Sequence, residues 1–226
     1  MYTIIGLISS FVWVFLIIGI ASVLLKNQWV NASITRKIVH IGVSHWWIIA
    51  WSFFDHWIYA SIPPVAFILI NIYSYQKRVF RAMEHEDKRR NLGTIYFPIA
   101  LWLLVMGCYA WDIPLFVGAI AILILGYGDG LASIVGEHIK SRSFRIFGST
   151  KSIAGSLAMF FSSALVVVII LLVWVPSWGL IPILLVSLQT ACVATAIEAI
   201  TPWGLDNLTI PIGTTLFFMG GVLSWI

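Results

Sequence analysis

Eight apolar runs, residues 2 to 25, 38 to 54, 57 to 75, 92 to 111, 113 to 136, 153 to 175, 180 to 200 and 208 to 226, take up nearly all of this 226-residue chain. Most approach the roughly 20 residues that cross about 30 Å of hydrocarbon, where a helix satisfies its own backbone. The sequence therefore predicts an all-α fold, a polytopic membrane helical bundle of about eight transmembrane helices that forms one integral-membrane domain over residues 1–226. Composition agrees, with 61% hydrophobic and 10% charged residues and a mean hydropathy of +1.00. The connections are too short to hold a soluble domain.

The charges orient this bundle. All 13 Lys and Arg lie in the connections after the first run (Lys26, Arg36, Lys37), the third (Lys77, Arg78, Arg81, Lys88, Arg89, Arg90) and the fifth (Lys140, Arg142, Arg145, Lys151). The second, fourth and sixth connections hold none. Because cytoplasmic connections retain Lys and Arg, the odd-numbered helices are expected to run inward and both termini to lie outside. The first run carries its charge after it rather than before, so it is expected to be a retained span and not a cleaved signal. A net charge of +4 would suggest a nucleic-acid partner in a soluble protein. Here topology and anionic headgroups account for it, and no nucleic-acid partner is expected. Cys108 and Cys192 fall inside apolar runs and read as packing residues, with no disulfide or metal framework.

The polar residues that break the apolar pattern gather at one depth. At 1.5 Å per residue, Asp129 lies roughly 24 Å along its helix from Ile113, and Glu198 roughly 27 Å from Leu180, so both reach the cytoplasmic boundary. Arg36, Lys37 and His40 open the second helix at that boundary, Lys151 immediately precedes the sixth, and Asp206 with Asn207 precedes the eighth. Carboxylates in or beside a span are costly and mark ion sites, proton paths or catalysis. Gly126, Gly128 and Gly130 surround Asp129 and would let backbone approach a ligand. Lys151 and Ser152 lead directly into a helix whose N-terminal N–H groups, with the ammonium, make an anion site. The spacing is not that of a Walker A loop. Acidic residues beside a phosphate site imply Mg²⁺ or a similar divalent cation, which takes oxygen ligands together with substrate phosphates. Glu84, Glu86 and Asp87, in the longest basic connection, are secondary acidic candidates. His45 is expected to be hydrogen-bonded within the bundle.

Four segments carry a resemblance. They are RKIVHIG (36 to 42), RNLGTIYFP (90 to 98), GYGDGLASIVGEHIKSRSFRIFGSTKSIAGSLAMF (126 to 160) and AIEAITPWGLDNLTIP (196 to 211). In combination and order they resemble the CTP-dependent lipid kinase family of dolichol kinase, phytol kinase and yeast-type diacylglycerol kinase. The resemblance implies a multi-pass membrane enzyme that moves the γ-phosphate of CTP to the hydroxyl of a membrane lipid alcohol, an isoprenoid alcohol or diacylglycerol, with a divalent metal. Arg36, Lys37 and His40 match the first motif, Asp129 between Gly128 and Gly130 the glycine-flanked acid, Lys151 and Ser152 the K-S/T step, and Glu198, Asp206 and Asn207 the last motif. The implied catalytic residues are Asp129, Glu198 and His40. Lys151, Ser152, Arg36, Lys37, Gly128, Gly130 and Asn207 would bind nucleotide, and Asp129, Glu198 and Asp206 would bind metal. Ala154 departs from the pattern, standing where many relatives have Glu.

Two other functions compete with this one. A CTP:phosphatidate cytidylyltransferase would use the same nucleotide, but its longer acidic signature with paired Asp residues is missing. A transporter or noncatalytic lipid-binding protein needs polar groups at the midplane, where His45 and Gln189 are the only large polar side chains expected. The acidic residues instead divide seven to the basic side (Glu84, Glu86, Asp87, Asp129, Glu137, Glu198, Asp206) and two to the other (Asp55, Asp112).

Overall fold

A computed structural model describes residues 1–77, 92–147 and 149–222. In chain order the elements are α1 (Tyr2–Lys26), α2 (Ala32–Ser44), α3 (Trp46–Phe53), α4 (Trp57–Lys77), α5 (Gly93–Ala110) and α6 (Leu115–Leu123), which passes through a π-helical turn (Ile124–Asp129) into α7 (Gly130–His138). A hairpin of β1 (Ser143–Ile146) and β2 (Ser149–Ser152) follows, then α8 (Ile153–Trp174), α9 (Leu180–Ile200) and α10 (Asp206–Phe217), which ends in a second π-helical turn (Phe218–Val222). The secondary acidic candidates Glu84, Glu86 and Asp87 lie outside the described residues.

The all-α membrane bundle stands. Among the described residues, six helical segments are long and apolar enough to cross a membrane: α1, α4, α5, the continuous Leu115–His138 segment, α8 and α9. The second expected span is instead two helices, α2 and α3, divided at His45, and the last is α10 with its π turn. The division has a local cause. His45 Nδ1 sits 2.8 Å from the carbonyl oxygen of Ile41 in the preceding turn, and Nε2 lies 3.1 Å from the Tyr127 hydroxyl, tying the break to the central helix.

Leu115–His138 is that central helix: 72% of its most apolar window is buried, against 22% for α1. Helices α2, α5, α8 and α10 pack around it. Small residues permit the approach. A Cβ on Gly118 would lie 2.2 Å from Cζ2 of the fully buried Trp47, whose Nε1 donates to the Leu115 carbonyl at 3.1 Å. Pro63 and Pro64 lie within α4 and are buried. Gln189 is on the exposed face of α9, so it belongs to no internal polar path.

Alternation of the helices brings the start of α2, the start of α5, the end of α7, the hairpin, the start of α8, the end of α9 and the start of α10 to one end of the bundle, around one cavity. That end carries Arg36, Lys37, Lys140 and Lys151. Lys140→Cys and Ser177→Cys, each in a background without Cys108 and Cys192, should react with a membrane-impermeant maleimide from opposite sides of sealed vesicles. Labelling of both from the same side would defeat the alternation.

Candidate active site

Asp129 is the last residue of the first π-helical turn and is only 4% exposed. A π turn inserts one residue into the helical repeat and rotates the next turn of helix, a distortion frequent at functional sites. Glycines make it possible here. A Cβ on Gly126 would come within 2.3 Å of Ser44 Oγ, and one on Gly128 within 2.7 Å of Met159 Sδ, so both positions let α2 and α8 close on the turn. The Asp129 carboxylate then meets α2, where Lys37 Nζ donates to Oδ2 at 2.6 Å. One helical turn beyond Lys37, the His40 ring packs against Phe97 with centroids 5.1 Å apart, and its buried Nδ1 has no hydrogen-bond partner among the described residues.

Lys151 is carried by the hairpin, opposite Phe144 in the antiparallel register. Its ammonium donates to Glu198 Oε1 at the end of α9 and lies 3.8 Å from Asp206 Oδ2 at the start of α10. Burial pushes the Lys151 pKa down, but Glu198, Asp206 and Asp129 together outweigh it and hold the ammonium above its ordinary value. The N-terminus of α8 differs from expectation. Ile153 N–H donates to the Arg142 carbonyl, Ala154 N–H to Ser141 Oγ and Gly155 N–H to Ser152 Oγ, at 3.0, 3.0 and 3.1 Å. The first three amides of that helix are thus capped by the chain itself, and Ser152 serves as the N-cap. They are not free donors awaiting phosphate.

The link between α9 and α10 places the last motif. Leu205 N–H donates to the Pro202 carbonyl at 3.2 Å, with Trp203 at φ 55 and Gly204 at φ 79 between them, a turn with both central residues left-handed. Gly204 adopts this conformation readily, whereas a tryptophan there is strained, by about 1–3 kcal/mol. The turn sets Asp206 beside Lys151 and leads into Asn207, whose Nδ2 donates to the Gly204 carbonyl at 3.1 Å. Among the described residues, Asn207 Oδ1 and Glu198 Oε2 are buried acceptors with no partner.

These groups line one cavity of about 480 Å³. Its charged walls balance. Arg36, Lys37, Lys140 and Lys151 face Asp129, Glu137, Glu198 and Asp206, four cations against four carboxylates among the described residues. Among those residues, no three His, Cys, Asp or Glu side chains come together closely enough to hold a metal ion. The expected trio of Asp129, Glu198 and Asp206 is instead split between two lysines, Asp129 on Lys37 and the other two on Lys151. The unpartnered Glu198 and Asn207 oxygens, next to Asp206, are the kind of oxygen ligands a hard cation takes with substrate phosphates completing its shell.

Of the residues singled out in the sequence, Arg36, Lys37, His40, Asp129, Lys151, Ser152, Glu198, Asp206 and Asn207 all line the cavity. Gly128 and Gly130 do not. Gly128 packs on α8, and a Cβ on Gly130 would lie 3.0 Å from Ile41 on α2, so both serve helix approach. Ser33, Thr94, Ser133, Ser156 and Trp203 line the cavity without having been singled out. All of these but Ser33 fall within three of the four resemblance segments, which was the available signal. Ala154, at the position of the family Glu, uses its backbone to hold the hairpin through Ser141.

Similarity to known proteins decides the family. Over 197 residues the chain is 36% identical to a phytol kinase of Synechocystis sp., an alignment covering 86% of this chain and 82% of that relative. The chain belongs to the phytol kinase family of lipid kinases. A probable chloroplastic phytol kinase of Triticum aestivum is 28% identical over 214 residues (85% of this chain, 69% of the relative), and phytol kinase 1 of Arabidopsis thaliana is 27% identical over 212 (85% and 68%). No protein-family model and no solved structure matches.

The buried Lys37–Asp129 pair separates structural from chemical roles. Asp129→Asn should lower the melting temperature, because it strands a mostly buried ammonium, a loss on the order of 3 kcal/mol. The double variant Lys37→Met with Asp129→Leu should recover most of that stability and regain no turnover. Near-normal turnover in the double variant would reduce the pair to a structural tie.

Proposed function

We propose that this protein is a CTP-dependent kinase that transfers the γ-phosphoryl group to the hydroxyl of a membrane isoprenoid alcohol of the phytol class, at the cytoplasmic face. The observation that carries this reading is the single cavity in which the Lys37–Asp129 pair and the Lys151–Glu198–Asp206 cluster face each other at the bundle's basic end. The relatives' names, phytol kinase, supply the acceptor class. Phosphoryl transfer needs little beyond this: cations for the phosphates, a group that orients or deprotonates the nucleophile, and exclusion of water.

On this reading the alcohol oxygen forms a bond to the γ-phosphorus, the bond from that phosphorus to the β–γ bridging oxygen breaks, and CDP leaves. Asp129 accepts the hydroxyl proton, with Lys37 fixing which carboxylate oxygen faces it. His40 sits beside the hydroxyl and orients it. Arg36 and Lys151 neutralise phosphate oxygens, and Ser152 keeps the hairpin and α8 in register. Glu198, Asp206 and Asn207 would hold Mg²⁺. The charge balance supports the ion, since a triphosphate entering a cavity whose described walls carry no net charge needs cations brought with it. When bound, Mg²⁺ supplies charge neutralisation of the phosphates.

Purified protein given CTP and a C20 prenol should move γ-label, and no α-label, into lipid. It should prefer CTP to ATP and stop in EDTA. Transfer of α-label to phosphatidate would replace the kinase with a cytidylyltransferase, and full rate in EDTA would remove the metal. Separately, Lys151→Ala should raise the KM for nucleotide about tenfold or more while kcat falls less, because the ammonium binds phosphate in ground and transition states alike. An unchanged KM would confine Lys151 to its ion pairs.

A further inference from the structure

A second, apolar cleft of about 40 Å³ lies between α1, α2, α4 and α5. It and the polar cavity share two residues, His40 and Thr94. Away from that junction its walls are aliphatic and aromatic: Val39 and Val43 on α2, Phe67 on α4, Phe97 and Leu101 on α5. Its polarity is graded along the helix axes. His40, Thr94 and Asn71, whose Nδ2 donates to the Thr94 carbonyl at 2.7 Å, form one end. Trp46 lies deeper, roughly 9 Å along the helix direction from His40. The proline pair of α4 lines the same deep part.

We propose that this cleft is the acceptor subsite, holding the chain segment next to the hydroxyl of a single-chain lipid alcohol. The inference rests on the kinase reading and names where its lipid enters. An alcohol has one polar end and one apolar chain, and at His40 and Thr94 an apolar cleft adjoins the charged cavity. A hydroxyl placed there meets the unpartnered Nδ1 of His40 while the chain descends past Val43 and Phe67 into the bilayer. The cleft is a twelfth the volume of the polar cavity, taking 40 Å³ against 480 Å³. On this proposal one chain enters it and the paired chains of diacylglycerol do not. Because it holds only the proximal segment, chain length beyond that segment is not read.

The test uses the intact protein in nanodiscs with a C20 prenol carrying a diazirine close to the hydroxyl. Crosslinks should map to α2, α4 and α5 peptides that include Val43, Phe67 or Leu101; crosslinks on α8 or α9 would overturn the assignment. Val43→Trp should cut kcat/KM for C15 and C20 prenols at least tenfold and leave the Kd for CTP within twofold. Unchanged prenol turnover in a folded Val43→Trp protein, or diacylglycerol turnover in the wild type equal to that of prenol, would also overturn it. Crosslinking on wild-type protein decides the matter if the variant does not fold. The two readings fail separately: crosslinks in the cleft without γ-label transfer sink the kinase alone, and transfer with crosslinks elsewhere sinks the cleft alone.

Discussion

The contact between Lys37 and Asp129 is the one on which the site depends. It joins α2 to the central helix at a depth where an isolated charge of either sign is expensive. Such a pair adds little net stability over two apolar side chains, yet breaking it by removing one partner is costly. It therefore fixes position more than it strengthens the fold. With α2 held there, Arg36 and His40 fall on the same cavity wall, and the Phe97 ring of α5 is brought against His40.

The cluster around Lys151 does the same for the other half of the bundle by a different route. Three elements meet at one ammonium: the hairpin, the end of α9 and the start of α10. The hairpin is anchored at its far side by Ser141 and Arg142, which cap α8. The ammonium's position is thus set by backbone on both flanks. The strained Trp203 turn belongs to this half, since without left-handed residues at 203 and 204 the chain could not reverse tightly enough to bring Asp206 under Lys151.

Much of this could be read from residues alone because charge in a membrane chain is sparse. Nine of the residues singled out from the sequence meet in the cavity, because helices that alternate in direction can bring boundary residues together at only two ends, and the basic connections mark one of them. What escaped the sequence was local geometry. The glycines around Asp129 read as room for a ligand, whereas they give room to Ser44, Met159 and Ile41, because a glycine does not say which neighbour uses the space. The amides of α8 read as free because nothing in the pattern of the basic connection before them marks the fold that brings Ser141 and Arg142 back onto the helix start. The break at His45 depends on a hydrogen bond to the preceding turn and on Tyr127, neither of which periodicity records.

A kinase acting between water and lipid must bring together two substrates that share no solvent. On the proposed reading, the junction at His40 and Thr94 solves this by letting each substrate keep its own medium until the hydroxyl and the γ-phosphorus meet. Asp129 and Glu198 are each 4% exposed, so these two carboxylates of the cavity wall are largely withdrawn from bulk water. Each of these two carboxylates is held by a lysine. In a low-dielectric site an unpaired carboxylate would be neutralised by a proton, and a protonated Asp129 could not accept one from the alcohol. Lys37 and Lys151 thus set a countercharge against Asp129 and Glu198 at a depth where an isolated charge is expensive.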